Sequence, residues 1–509
     1  MDLHPTTRAF EAAYTGERAQ VVWTTLVGDL DTPVSAYLKL VGTDSLAFLM
    51  ESVEGGAQRG RYSFVGCRPD LVWRCSGNSA EINRDAQANP GAFSPCPIGA
   101  QDGDEGGTLK SLRALMAESR IDMPDDLPPM AAGLIGYMGY DTVRLSETIP
   151  DDNPDVLNVP DGQFLRPTVI TIFDNAKDLV YVVTPVYPQP QVSATAAFDA
   201  AQDRLARVVL DFERTLPPQT TADDVLDLPE PESNMTQAAF FNMVEKAKEY
   251  ILAGDVFQVV LSQRFKLPFT LPPFSFYRSL RRVNPSPFLF YLDFGDFQIA
   301  GSSPEILVRL REGQVTVRPI AGTRMRGETK AQDDALEAEL LADPKERAEH
   351  LMLLDLGRND VGRVSKTGTV EVTDSYMVER YSHVMHIVSN VVGDIRDGKD
   401  AIDALYAGFP AGTVSGAPKV RAMEIIDELE PEKRGIYAGC IGYFGADGEM
   451  DTCIALRTAV IKDGTLYAQA GGGVVLDSTP LGEFEESRNK ARALVRAAEE
   501  AVRFAKRSN

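Results

Sequence analysis

The chain has 509 residues, long enough for two or three domains and for an ample core without disulfide or metal staples. With 44% apolar and 25% charged residues, and only 41 Gly and 32 Pro, it reads as a soluble globular protein rather than a disordered one. The 51 basic against 74 acidic side chains leave a charge of −23, which disfavours nucleic acid or an anionic membrane as main partner, since both need a basic footprint.

Residues 1–10 lack the charged-then-apolar layout of a secretory leader, and no run of roughly 18 apolar residues follows, so neither export nor a membrane span is expected. Short β-rich runs at 45–50, 168–173 and 179–183 stand beside helix-like stretches at 108–119 and 194–215, and the polar stretch 76–107 reads as a surface loop. GLIGYMGYD (133–141) is a strand and turn without phosphate-loop spacing. The Pro- and acid-rich segment 215–234 reads as a linker between an N-terminal domain, 1–214, and a C-terminal one, 235–509.

Beyond the linker, Phe240, Val244, Ala247 and Ile251 recur at helical spacing up to a stop at Gly254. In VFQVVLSQRF (256–265), Phe257, Val259 and Leu261 form one apolar strand face; Gln258 lies opposite and needs a polar partner if buried. Strands are expected at 288–293, 298–300, 306–311, 314–318, 369–372, 381–392, 437–444, 450–461 and 465–470, with helices at 331–341, 344–359 and 483–506. Turns at Glu312-Gly313, Asp447-Gly448 and Asp463-Gly464 join strand pairs antiparallel, giving α+β rather than parallel α/β. Five cysteines at 67, 75, 96, 440 and 453, with no C-x-x-C, fit a cytoplasmic protein better than a disulfide framework or zinc site.

Four carboxylates on two helices carry the strongest chemical signal. Glu346 and Glu349, and then Glu483 and Glu486, each sit three apart on one helix face, with Lys490 a turn beyond the second pair. Such a set suits a hard divalent cation, and Mg²⁺ that keeps waters can also bind an anionic substrate. Glu346 has a second reading as part of the helix start Asp343-Pro344-Lys345-Glu346, which Glu349, past the first turn, does not share. His383 and His386 lie three apart in an expected strand and face opposite ways, so zinc is a poor reading; one of the two faces a cleft or packs in the core. The Gly-rich turns PIAGTR (319–324), FPAGTVSGAPK (409–419) and QAGGGVV (469–475) offer backbone N–H groups to carboxylates, and Arg457 and Lys419 could neutralise an anion. The residues alone give a soluble, Mg²⁺-dependent enzyme acting on a small polyanion.

The ordered motifs SPE (303–305), PIAGTR, KERAEHLMLLDLGRND (345–360), VMHIVS (384–389), FPAGTVSGAPK and EFEESRNKA (483–491) resemble the chorismate-utilising enzymes, most nearly their anthranilate synthase component I branch, from Thr32 to about Ala501. The resemblance implies two packed antiparallel β-sheets with helices outside, the N-terminal part intertwined with the C-terminal one. It implies Mg²⁺ on Glu349 and Glu486, with Glu346 and Glu483 behind water, binding the ring carboxylate of chorismate. Relatives that add water carry a lysine base where this chain has Gln258, which cannot take a proton. Others have a lysine nucleophile at the position of Ala321. Both replacements point to attack by ammonia.

On the same footing Glu305 is the expected proton donor, and His386 serves the later pyruvate elimination. Gly322, Thr323, Thr413, Tyr437, Arg457, Gly471, Gly472, Gly473 and Lys490 are expected around the substrate. Cys440, in AGCIGYF, lacks the G-x-C-x-G spacing of a glutaminase nucleophile, so a separate glutamine amidotransferase subunit is implied. Elements similar to those of tryptophan-inhibited members, LMES (Leu49, Glu51, Ser52), RYS (Arg61, Tyr62, Ser63) and NPSPFL (Asn284, Pro287, Phe288, Leu289), imply feedback by L-tryptophan through a site touching both domains. Two rival readings stand: an aminodeoxyisochorismate synthase that stops before pyruvate loss, and a catalytically silent ligand sensor.

Overall fold

A computed structural model describes residues 1–42, 44–54, 58–96, 107–216, 228–381 and 384–505. Every strand pairing in it is antiparallel. The long strands Gln58–Ser76 and Gly162–Asp174 pair along their length and belong to two series. One series runs from Gln20–Val27 through Leu179–Val186, this shared pair, Ala47–Glu54, Phe288–Asp293, Phe297–Ser303, Thr458–Lys462 and Thr465–Val474 to Gln258–Pro268. The other runs from the shared pair through Gly133–Met138, Cys440–Gly445, Met450–Ile454, Ile306–Arg311, Gln314–Val317 and Val384–Asp394 to Glu371–Arg380, with Ile320–Met325 also along Val384–Asp394.

The two sheets face each other across one apolar layer. Phe48, Phe290, Ile299 and Val460 of the first meet Ile135, Tyr137, Ile441 and Cys453 of the second. Their strand neighbours Leu49, Tyr291, Ala300 and Ala459 point outward under Phe10, Tyr37, Phe198, Phe276 and Leu494 of the covering helices, as the two-residue period of a strand requires. Helices Gln237–Ala253, Pro344–Val364, Ala401–Gly408 and Lys419–Leu429 contribute to a third apolar cluster with the second sheet. The N-terminal strand Ala47–Glu54 pairs with Phe288–Asp293, and Gly133–Met138 with Cys440–Gly445, so the two halves are intertwined within both sheets. This is the α+β architecture expected.

Local chemistry explains the element ends that matter for the site. Helix Gln237–Ala253 is capped by Thr236 and closed by Gly254 in the left-handed region, φ 86°. Helix Pro344–Val364 starts on Asp343, whose side chain accepts from the N–H groups of Lys345 and Glu346. Helix Pro480–Glu500 starts on Thr479 in the same way. Both have proline at the first position, where a missing N–H costs nothing.

Several expectations are corrected. The QAGGGVV run is no turn: Gly471–Gly473 lie inside strand Thr465–Val474, paired with Gln258–Pro268. PIAGTR is a strand, Ile320–Met325, with a register shift at Gly322, φ 71°. The expected strand 450–461 breaks into Met450–Ile454 and Thr458–Lys462, and Arg457 sits in the break at φ 48°. The expected strand 381–392 is one arm of a hairpin, Glu371–Arg380 with Val384–Asp394. Phe257 does not join Val259 and Leu261 in the core; it is 73% exposed. The stretch 76–107 is not all loop, since Ser79–Asn83 pairs back on Val72–Ser76. Helices Thr7–Thr15, Pro33–Leu40 and Pro273–Val283 and strand Gln20–Val27 had no sequence reading.

Candidate active site

A cavity of about 560 Å³ opens between helices Pro344–Val364 and Pro480–Glu500 and the strands beneath them. Its walls hold Gln258, Glu305, His386 and Thr413, together with Gly322, Thr323, Tyr437, Arg457, Gly471, Gly472, Gly473 and Lys490, and all four carboxylates Glu346, Glu349, Glu483 and Glu486. Residues from positions 258 to 490 thus converge on one site, carried by ten separate elements and loops.

The carboxylates form one electrostatic unit. Burial raises the Glu349 carboxyl above its ordinary range, and neighbouring Glu346 and Glu486 push it the same way. Burial likewise raises Glu483. One Glu483 oxygen is held by the Ser478 hydroxyl at 2.7 Å, while the other, Oε2, is buried without a hydrogen-bond partner. Glu486 pairs with Lys490 at 2.7 Å and Glu346 with Arg324 at 3.0 Å. No three His, Cys, Asp or Glu side chains among the described residues stand close enough to hold an ion in this arrangement. The set nevertheless fits Mg²⁺, because the orphaned Oε2 and the mutual repulsion are both relieved by a cation. Gly472 keeps the space open: a Cβ there would sit 2.4 Å from Glu483 Oε2 and 3.5 Å from Glu486 Oε1.

Two titratable groups in the cavity differ in their state. Glu305 is fully enclosed, and burial lifts its carboxyl from 4.5 to about 8, against the opposing hydrogen bond from Thr413 Oγ1 at 3.3 Å. It therefore carries a proton at neutral pH. His386 is the reverse case. Burial lowers it, so the ring is neutral. Its Nδ1 lies 2.9 Å from the Gly322 carbonyl oxygen, which can only accept. Nδ1 therefore holds the hydrogen, and Nε2 presents a lone pair. His383, the other member of that pair, lies outside the described residues.

Arg457 places a buried guanidinium in the cavity wall. Burial lowers its guanidinium, and no carboxylate among the described residues pairs with it. Its left-handed backbone, in a non-glycine residue, is the kind of strain that persists where the surrounding structure holds it for a purpose. Gln258 is 4% exposed, and its Oε1 is buried with no partner; the residue lines the cavity, and a Cβ on Gly473 would fall 2.1 Å from its Nε2. The partner that the sequence required for Gln258 is absent from the described residues and fits a ligand group.

Sequence reasoning missed Ser478, Gln469 and Lys345 on the cavity wall. Lys345 had a signal, standing next to Glu346. Lys419 is corrected: its ammonium lies 2.9 Å from both Asp360 oxygens and does not line the cavity. Cys440 is buried, and its thiol is pushed up to about 12, as a structural cysteine requires. Away from the cavity, several of the residues expected for tryptophan lie on adjacent strands, with Glu51 opposite both Ser63 and Leu289, and Ser52 opposite Phe288, while Asn284 and Pro287 lie in the turn before strand Phe288–Asp293. Glu51 is saturated, accepting from Tyr277 Oη at 2.6 Å and from Arg281 at 2.7 and 2.8 Å. Leu49 is fully buried under the outer helices.

Comparison with known proteins gives the family. Residues 62–496 match the family of chorismate binding enzymes. The chain is 58% identical to anthranilate synthase component 1 of Cereibacter sphaeroides over 98% of each chain. It is 47% identical to that of Pseudomonas putida, covering 92% of this chain and 93% of the relative. The crystal structure of anthranilate synthase component I from Streptococcus pneumoniae superposes with a TM-score of 0.74 at 37% identity, over 92% of this chain and 98% of that one. The isochorismate synthase MenF of Escherichia coli, at 19% identity and a TM-score of 0.68, shares the fold. The cavity, the two-sheet architecture and near full-length identity together place this chain in the chorismate-binding enzyme family, among the component I anthranilate synthases.

Proposed function

We propose that this chain converts chorismate and ammonia to anthranilate, pyruvate and water, with Mg²⁺ as cofactor, as the synthase subunit of tryptophan biosynthesis. The reading rests on one observation above all: every residue expected to bind chorismate, hold the metal or move a proton lines the same cavity. Glu349, Glu486, Glu346 and Glu483 would hold Mg²⁺, which when bound would supply charge neutralisation for the ring carboxylate of chorismate.

The chain's own groups then divide the work. Ammonia attacks C2, and Glu305, protonated at neutral pH, gives its proton to the departing C4 hydroxyl, which leaves as water. In the second stage, His386 Nε2 removes the C2 proton as the C3–oxygen bond to the enolpyruvyl arm breaks; that arm takes up a proton and leaves as pyruvate. Arg457 and Tyr437 hold substrate oxygen atoms, and the strand glycines let the ligand lie against backbone. Gln258 Oε1 accepts from the incoming ammonia.

The ammonia comes from glutamine on a separate amidotransferase subunit. An apolar groove of about 1,140 Å³ shares Gln258, Lys345, Glu349 and Val475 with the catalytic cavity. Its rim exposes Phe257 at 73%, Leu351 at 57% and Leu476 at 47%, a surface that suits a protein partner. L-Tryptophan acts as feedback inhibitor on the strands bearing Leu49–Ser52 and Arg61–Ser63 and the segment Asn284–Leu289, where both halves of the chain meet, and favours one arrangement of them.

The test is the purified chain with chorismate, Mg²⁺ and ammonium at alkaline pH, following anthranilate fluorescence and pyruvate. Both products, abolished by EDTA and suppressed by tryptophan, are expected. Chorismate loss without pyruvate would instead assign the synthase that stops at the amino intermediate.

A further inference from the structure

A second cavity, of about 410 Å³, lies in the N-terminal part, between helix Ala194–Phe212 and strands Leu179–Val186 and Gln58–Ser76, and shares no lining residue with the catalytic one. One face of that helix supplies Ala196, Ala200, Arg204 and Arg207 at helical spacing; with Val186, Val192 and the Tyr187 ring they make a half-apolar, half-cationic wall.

Its charges are unbalanced. Arg204 donates through Nε to the buried Thr184 hydroxyl at 2.8 Å, which fixes the guanidinium plane and leaves both terminal nitrogens without a partner among the described residues. Burial lowers this guanidinium, and the one acidic group acting on it is Asp70. Asp70 is itself held through both oxygens by Arg166, at 2.8 and 2.9 Å. Arg68, on the same wall, is matched by Asp211 at 2.6 Å. Arg207 is exposed and has no ion pair among the described residues. A locally cationic hollow in a chain of −23 is a selective place for an anion. Arg457 in the catalytic cavity is likewise a desolvated guanidinium with no carboxylate hydrogen-bonded to it among the described residues.

We propose that this cavity is an organic-anion site, in which Arg204 and Arg207 take the carboxylate of a small ligand and Val186, Val192 and Ala200 cover its apolar body. The planar fork of Arg204, held by Thr184, suits a carboxylate engaged by two N–H groups. The apolar wall makes a carboxylate with a hydrocarbon body the better occupant than bare phosphate.

The experiment is calorimetric titration of the full chain with benzoate and, separately, with inorganic phosphate. An Arg457→Met background removes carboxylate binding at the catalytic cavity. One benzoate-binding event is expected to remain in Arg457→Met. It should weaken about 10- to 100-fold when Arg204→Met is added, the loss expected for charge-assisted hydrogen bonds. Ala200→Trp, which fills the cavity from an exposed helix position, should abolish the event while leaving Arg204 and its Thr184 bond in place. Arg204→Met alone should leave chorismate turnover unchanged. Absence of any benzoate event in Arg457→Met, or its survival undiminished in both added variants, overturns the proposal. Phosphate binding without benzoate binding overturns the carboxylate assignment.

Discussion

Glu305 offers the sharpest quantitative test. Its carboxyl is raised from 4.5 to about 8 by burial, so the folded protein keeps a proton that the unfolded chain has lost at neutral pH. The sign follows directly: below about pH 4.5 both states are protonated and the residue costs nothing. As pH rises through that value the unfolded chain gains by ionising, and stability falls by about 1.4 kcal/mol per pH unit until the folded carboxyl also ionises near pH 8. The total approaches about 5 kcal/mol as an upper bound for a fully enclosed group. Glu305→Gln keeps the shape and an acceptor for Thr413 but has no proton to lose. Denaturant melts of the two proteins between pH 5 and 9 should show Glu305→Gln gaining steadily over the native chain up to about pH 8, then levelling. In the ammonium-dependent assay the same variant should lose about 10²–10⁴ in rate, the usual worth of a positioned acid. A stability difference that does not change with pH would refute the protonated state. Retained turnover would refute the role.

Four further outcomes follow from the geometry. Gly472→Ala should fold normally but raise the Mg²⁺ concentration for half-maximal binding about tenfold, read by calorimetry, because its methyl would crowd Glu483 Oε2. His386→Asn should still consume chorismate while anthranilate and pyruvate drop together, and the native chain should hold its elimination rate down past pH 6.5 because burial keeps the imidazole neutral. Phe257→Asp should abolish glutamine-dependent but spare ammonium-dependent synthesis, measured with and without the amidotransferase. Glu51→Gln should lose about 2 kcal/mol of stability, since Arg281 and Tyr277 then lack their charged acceptor, and should weaken tryptophan inhibition in the same assay.

How much of this was legible without coordinates divides along a physical line. The sequence determined what depends on local order: the α+β class from hairpin turns, the helices that carry Glu346 with Glu349 and Glu483 with Glu486, and the caps at Asp343 and Gly254. Helical spacing places two side chains on one face whatever surrounds the helix, and an N-cap is satisfied within its own turn. The motif resemblance added the expected catalytic residues, and all of them line the cavity. What depends on distant partners was out of reach. QAGGGVV reads as a turn because glycine is flexible, yet it is a strand, since those glycines let Gln258–Pro268 and the carboxylates approach the backbone closely. Arg457 reads as an ordinary strand residue, and only the surrounding fold breaks the strand there and leaves its guanidinium unpaired. The proton on Glu305 is likewise a tertiary fact. No neighbour in sequence removes a carboxyl from water; enclosure by two sheets and their loops does, and it is that enclosure which turns an ordinary glutamate into an acid at neutral pH.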